Sequence, residues 1–124
     1  MRLLLDTHAA IWWLSDDPRL GAAAAAQLRD DSNHMLLSAA VVWEVAIKRS
    51  LGKLRTPEGF AARLLEAGAM PLAVSLEHAA GAEQLPQHHR DPFDRLLISQ
   101  ARIEGATLVS ADEALRAYDV PLLW

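Results

Sequence analysis

Four carboxylates, Asp6, Glu44, Asp94 and Asp112, stand just past or inside apolar stretches where a water-soluble domain ordinarily carries an uncharged residue. They come from four separate segments, so only a fold that gathers distant pieces makes one pocket of them. Brought within a few ångströms, four carboxylates repel one another and raise each other's pKa unless a cation neutralises them. With oxygen as the donor and no cysteine in the chain, the expected ion is hard and divalent, Mg²⁺ or Mn²⁺, rather than zinc. His88 and His89 are adjacent and no His-x-x-x-His pair occurs, so the histidines read as loop residues rather than as a ligand set. Such an ion, keeping waters in its shell, binds phosphate oxygens and lowers the pKa of an attacking water. Phosphodiester hydrolysis is the chemistry this predicts.

Each acid also has a plain structural account. Asp6 follows the apolar run Leu3–Leu5, and Asp112 comes three residues after Val109. An acid at a helix N-terminus satisfies free amides and the dipole, worth ~0.3–1 kcal/mol. Glu44 is harder to explain that way, because its helical neighbours Ala40, Val41 and Ile47 are apolar and burying an unpaired carboxylate is costly. An ion pair with Lys48 or Arg49 is the alternative. Asp94 shares a stripe with Leu97, Ile98 and Ala101, while Arg95, Ser99 and Arg102 form the polar face. Its alternative is a capping pair with Asp91, which accounts for Asp91 better than for Asp94. For gripping phosphates the neighbouring cations are His88, His89, Arg90 and Arg95 beside Asp94, and Lys48, Arg49, Lys53 and Arg55 after Glu44. A solvated loop and an ordinary charged helix face explain them as well, and no aromatic-basic alternation marks a base-stacking platform.

The bulk properties bound this reading. A chain of 124 residues with 52% hydrophobic content is about one domain's worth, enough to bury a sizeable core. The expectation is a single domain over residues 1–124. The absence of cysteine excludes a disulfide framework. Met1-Arg2 leads straight into a strand-like run with no signal-peptide pattern, and no apolar run approaches the ~18 residues of a membrane span. A soluble, cytoplasmic protein is expected. The net charge of −4 argues against the nonspecific nucleic-acid coating that a strongly basic domain shows, so any nucleic acid must be held locally.

Short buried strands alternate with helices along the chain. Arg2–Leu5 predicts a strand followed by a helix over residues 9–14, and Ser15-Asp16-Asp17-Pro18 a start signal for a second helix over 20–29. Residues 34–37 predict the second strand, with Ser38 capping a helix to about Leu51 and Gly52 stopping it. Thr56-Pro57-Glu58 predicts a helix to about Ala67, residues 70–74 a third strand, and Ser75 the start of a further helix. Gln87–Arg90 is a polar loop, Asp91-Pro92 a cap followed by proline at the first helical position, and Gly105 the end of a helix from Phe93 to about Glu104. Residues 107–109 predict the fourth strand, Ser110-x-x-Glu113 has capping-box spacing for a last short helix, and 120–123 an edge strand. This order predicts a three-layer α/β/α domain with a central, mainly parallel sheet of four to five short strands. Ligands of such sheets bind beyond the carboxyl ends of the strands.

Four segments carry a family resemblance: residues 3–8 (LLLDTH), 38–48 (SAAVVWEVAIK), 89–98 (HRDPFDRLLI) and 108–112 (LVSAD). In this order and spacing they resemble the PIN-domain ribonucleases of the VapC toxin type, and the resemblance covers essentially the whole chain. The family's acidic quartet falls on Asp6, Glu44, Asp94 and Asp112, with Asp91 a further acid characteristic of this branch, in support or as a cap. Ser110 stands where many relatives have threonine, a change that keeps the hydroxyl. The resemblance implies an Mg²⁺- or Mn²⁺-dependent endoribonuclease that forms a homodimer and is silenced by a cognate VapB-type antitoxin. The antitoxin would lie in an apolar groove, for which Trp12, Trp13, Leu51, Leu54, Phe60 and Leu64 are candidates unless they are ordinary core.

On this basis Asp6 and Asp94 are expected to bind the metal directly, with Glu44 and Asp112 completing the site. A metal-activated water attacks phosphorus in line, Glu44 is a candidate to accept its proton, and the products carry a 3′-hydroxyl and a 5′-phosphate. Thr7, Ser38 and Ser110 are candidates to orient waters or carboxylates. Two rivals remain at this point. A receiver-like phosphoacceptor domain would need paired acids after the first strand and a lysine after the last strands, neither of which is evident. A noncatalytic binding module of the same fold would lack a quartet acid, and all four are present.

Overall fold

A computed structural model of the chain describes residues 1–89 and 91–124. The run Leu3-Leu4-Leu5 has no solvent exposure, the pattern of a strand covered on both faces. It belongs to β1 (Arg2–Leu5), which leads through α1 (Thr7–Leu14) and α2 (Ala22–Arg29) to β2 (His34–Ser38). After β2 come α3 (Ala39–Ser50), α4 (Phe60–Glu66), β3 (Met70–Leu72), α5 (Leu76–Gly81) and α6 (Pro92–Glu104). The chain closes with β4 (Thr107–Val109), a 3-10 turn over Glu113–Ala117 and β5 (Leu122–Leu123). The five strands form one sheet in the order β3-β2-β1-β4-β5, every described pairing parallel. In register, Leu4 lies between Leu36 of β2 and Leu108 of β4. Around this sheet the helices complete the three-layer α/β/α arrangement, with α1 against α3 and α4, and α6 against α3 and α5.

Several boundaries differ from the expectations, each for a local reason. α1 begins at Thr7 rather than Ala9, because Asp6 is itself the N-cap and accepts the Ala9 N–H at 2.8 Å. Ser15-Asp16-Asp17-Pro18 does not start α2. Asp17 spends its carboxylate on the Arg19 backbone and guanidinium, and the helix begins after Gly21 instead. A side chain at Gly21 would meet the Trp124 backbone at 2.4 Å, so the C-terminus closes over that helix start. α4 begins at Phe60 rather than near Pro57, entered through Gly59 in the left-handed region at φ 68°. β3 and β5 are shorter than predicted, at three and two residues. The Ser110–Glu113 capping box is not formed: the Ser110 hydroxyl accepts from Asp112 N–H at 3.1 Å, and Asp112 caps the 3-10 turn through Ala114 N–H at 3.0 Å.

The six residues named as groove candidates divide by burial. Phe60 and Leu64 are buried core. Trp12 packs edge-on against Trp124 with the Arg19 guanidinium 4.8 Å above its ring, and Leu51 stands exposed. No helix among the described residues is long and apolar enough to cross a membrane.

Candidate metal centre

The strand order turns back between β1 and β4: β2 and β3 build outward on one side, β5 on the other. Ligands of open parallel sheets bind in the crevice beyond the strand ends at such a point. Asp6 directly follows β1 and Asp112 follows β4 by three residues, so topology alone sets both at its rim. The first turn of α6 supplies Asp94 and the middle of α3 supplies Glu44.

Asp6 is buried. Burial pushes its carboxyl above the ordinary value and the charge of Glu44 adds to this, while hydrogen bonds from Ser110 and the Ala9 backbone and the charge of His8 pull the other way. The Ser110 hydroxyl also accepts the Asp112 N–H at 3.1 Å. Glu44 is buried as the helical stripe predicted. Its Oε1 accepts from the Thr7 hydroxyl at 2.5 Å, and its Oε2 lies 2.7 Å from Lys48 Nζ. That contact holds the Lys48 ammonium above its usual pKa, helped by the nearby charges of Asp91 and Asp94. The ion pair weighed as an alternative for Glu44 thus exists, but it faces the other acids rather than standing apart from them.

Asp94 is strongly perturbed. Burial first, then the charges of Asp91, Asp6 and Glu44, push its carboxyl up to about 7, against a partial opposing effect of His89. Asp91 is the N-cap of α6: its Oδ1 accepts from Phe93 N–H at 2.8 Å and Asp94 N–H at 3.2 Å. It orients the first turn and presses a like charge on Asp94.

His89 falls among the acids, where the chain's spacing gave no ligand set. Its Nε2 lies 3.0 Å from Asp112 Oδ2 and 3.3 Å from Asp94 Oδ2, and the three side chains offer ligand atoms within 4.8 Å of one another. Its Nδ1 accepts the Asp91 N–H at 3.0 Å. A backbone N–H only donates, so the ring proton sits on Nε2 and points at the two carboxylates. In this arrangement His89 is a donor bridging the acids, not a lone-pair ligand.

The other predicted contacts divide. Arg95 donates to the carbonyls of Ala82, Leu85 and Pro86 at 2.9–3.1 Å, and the hydroxyl of Tyr118 accepts from His89 N–H at 2.8 Å while donating to the Pro86 carbonyl at 3.0 Å. Arg95 and Tyr118 together pin the loop that carries His89. This leaves the Arg95 guanidinium committed to backbone rather than to phosphate, and Tyr118 a support that no local pattern announced. Lys48 lies at the site, Arg49, Lys53 and Arg55 are exposed, and Arg90 lies outside the described residues. Ser38 is fully buried and touches none of the four acids. It caps α3 through Ala40 N–H and donates to Gln100 at 2.6 Å.

An all-parallel α/β sheet with carboxylates at its switch point defines the class, an α/β domain with an acidic candidate site. Residues 3–121 match the PIN domain family. Ribonuclease VapC22 of Mycobacterium tuberculosis is 30% identical over 127 residues, covering 96% of this chain and 93% of that protein. Ribonuclease VapC16 of the same organism is 44% identical over 71 residues, 51% of this chain and half the length of that relative. Among solved structures, VapBC2 from Rickettsia felis, bound to a DNA fragment from its promoter, superimposes with a TM-score of 0.73 at 18% identity, over 98% of this chain and 97% of that one. The chain belongs to the PIN-domain family, in its VapC branch.

Proposed function

We propose that this protein is a metal-dependent endoribonuclease, the toxin of a type II toxin–antitoxin pair, which hydrolyses RNA phosphodiester bonds. The observation that carries the chemistry is the meeting of Asp94 and Asp112 about His89, with the charges of Asp91, Asp6 and Glu44 pushing the Asp94 carboxyl up. Such a group is uncomfortable as a bare anion and comfortable against a cation. The donor set fits a hard divalent ion, because Asp6, Glu44, Asp94 and Asp112 offer oxygen alone. Mg²⁺ or Mn²⁺ held there supplies charge neutralisation, orientation of phosphate oxygens and an acidified water.

Asp6 and Asp94 are the direct ligands in this reading, with Glu44 and Asp112 completing the site. Thr7 fixes one Glu44 oxygen and Lys48 the other, so Glu44 is held in place to take the proton of the attacking water. Ser110 orients Asp6, Asp91 supports Asp94 from the helix cap, and His89 ties Asp112 to Asp94. Lys48 is the described cation placed to meet a substrate phosphate. In-line attack expels the 3′-oxygen and leaves a 5′-phosphate. The whole chain works as one domain, in the cytoplasm, as a homodimer restrained by a VapB-type antitoxin. The support for that partner is the likeness to the VapC ribonucleases and to the VapBC2 structure.

The test is cleavage of RNA by the purified protein, with the new ends sequenced. Cutting that stops in EDTA, returns with Mg²⁺ or Mn²⁺ and leaves 5′-phosphates is the expected result. Cutting undiminished by EDTA, or ends bearing 2′,3′-cyclic phosphate, would contradict it.

A further inference from the structure

Gln100 lies in the middle of α6 with no solvent exposure, and nothing in the chemistry above uses it. A buried amide is costly unless its polar atoms are met, and here they are met in one particular way. Its Oε1 accepts the Ser38 hydroxyl at 2.6 Å. Its Nε2 approaches the Ala73 carbonyl at 3.3 Å and His78 Nδ1 at 3.4 Å. His78 is fixed in turn: its Nδ1 also accepts the Ser75 N–H at 3.0 Å, so Nε2 carries the proton, 2.9 Å from Glu104 Oε2. Glu104 also receives Arg2 of β1. The amide is therefore held by α5 and by the residue after β3, and presents its oxygen to the first residue before α3.

The placement of this bond relative to the acids gives it meaning. Ser38 caps α3 six residues before Glu44, and Gln100 follows Asp94 by six residues on α6. At 1.5 Å of rise per residue both arms are ~9 Å long. α3 and α6 pack together, and Trp43 meets Phe93 edge-on at 5.4 Å beside the two acids. The helices thus run antiparallel in one register, Ser38 against Gln100 at one end and Trp43 against Phe93 at the other. A methionine or leucine would fill the volume of Gln100 but leave the buried Ser38 hydroxyl without its acceptor; the bond also fixes register, because sliding or rotating either helix breaks it.

We propose that Gln100 is a positioning residue which, through Ser38, locks α3 against α6 and so sets the spacing of Glu44 and Asp94. This rests on those acids being the cation site. The test compares Gln100→Met, which keeps length and removes the acceptor, and Ser38→Gly, which removes the hydroxyl while glycine remains a tolerable N-cap. Ser99→Ala is the control, an equally buried α6 hydroxyl bonded to the His78 carbonyl at 2.7 Å. Mn²⁺ affinity by calorimetry, kcat and KM on RNA, and melting temperature are measured for each. The expected result is a roughly tenfold loss of Mn²⁺ affinity and of kcat in both variants, the scale of a lost supporting bond around a metal, with KM for RNA unchanged. Ser99→Ala keeps wild-type Mn²⁺ affinity even where its melting temperature falls as far. Should Gln100→Met not fold, Ser38→Gly decides alone. Wild-type Mn²⁺ affinity and kcat in the folded variants, or the same loss in Ser99→Ala, would overturn the proposal. A wild-type chain that cuts RNA and binds Mn²⁺ while the variants match it overturns this inference only, whereas a wild type that binds no Mn²⁺ overturns the cation site as well.

Discussion

Asp94 makes the clearest prediction among single residues. Unfolded, its carboxyl titrates at the ordinary value of 3.8, and folded without a cation it titrates at about 7. Between those pH values the folded chain holds a proton that the unfolded chain has lost. The contribution of this group to stability is therefore greatest at low pH and is lost as pH rises towards 7; Asp6, also raised, acts in the same direction. In EDTA, the melting temperature of wild type relative to Asp94→Asn is expected to fall as pH is raised from 5 to 7.5, and Mn²⁺ restores it most above pH 7, where it no longer competes with the proton. A difference between the two proteins that does not vary with pH would contradict this. Glu44 and Asp94 were legible in the sequence because a charge on an apolar helical stripe is visible locally. His89 was not legible as a bridge, because its position depends on the Tyr118 hydroxyl, 29 residues away, and on the Asp91 N–H. Nor was the fate of Arg95, whose partners are carbonyls of a preceding loop that no spacing rule reveals.

Among the elements, α6 carries the most consequence per residue. Its cap Asp91 accepts two N–H groups, one of them from Asp94 itself. Asp91→Ala should destabilise the protein by about 1 kcal/mol in urea unfolding, the usual cost of a lost N-cap. RNA cleavage should fall less than in Asp94→Asn. Unchanged stability with cleavage abolished would instead make Asp91 a ligand. This cap and the Gly105 stop at φ 63° were legible because proline, aspartate and glycine act through their own backbone geometry, and Ser38 and Ser75 were legible for the same reason. The starts of α2 and α4 were misread because Asp17 had a nearer partner in Arg19 and because α4 is entered through a left-handed glycine. A cap-like residue marks a helix only when nothing else claims its side chain.

Across the whole molecule, alternation of strand and helix announced a parallel sheet, but the strand order did not follow from it. That order, with β1 between β2 and β4, is what brings a residue six positions from the start within reach of one near the end. Pairing of distant strands is decided by packing of the assembled core, which local patterns do not encode. The same holds for the expected groove, where Phe60 and Leu64 proved to be core. With a net charge of −4, the chain has little general attraction for RNA, so RNA recognition falls to the proposed acidic pocket and the few cations beside it.

Whether the four acids hold one cation-dependent, RNA-cutting centre is decided by cleavage of RNA in Mg²⁺ by folded Asp6→Asn beside wild type. Asp6→Asn keeps the shape of the side chain and an oxygen for the Ala9 N–H, so the fold should persist, as matching circular dichroism would verify. Cleavage is expected to fall by at least about two orders of magnitude, the upper end of what a disturbed metal site costs. Cutting at the wild-type rate by a folded Asp6→Asn protein would contradict it.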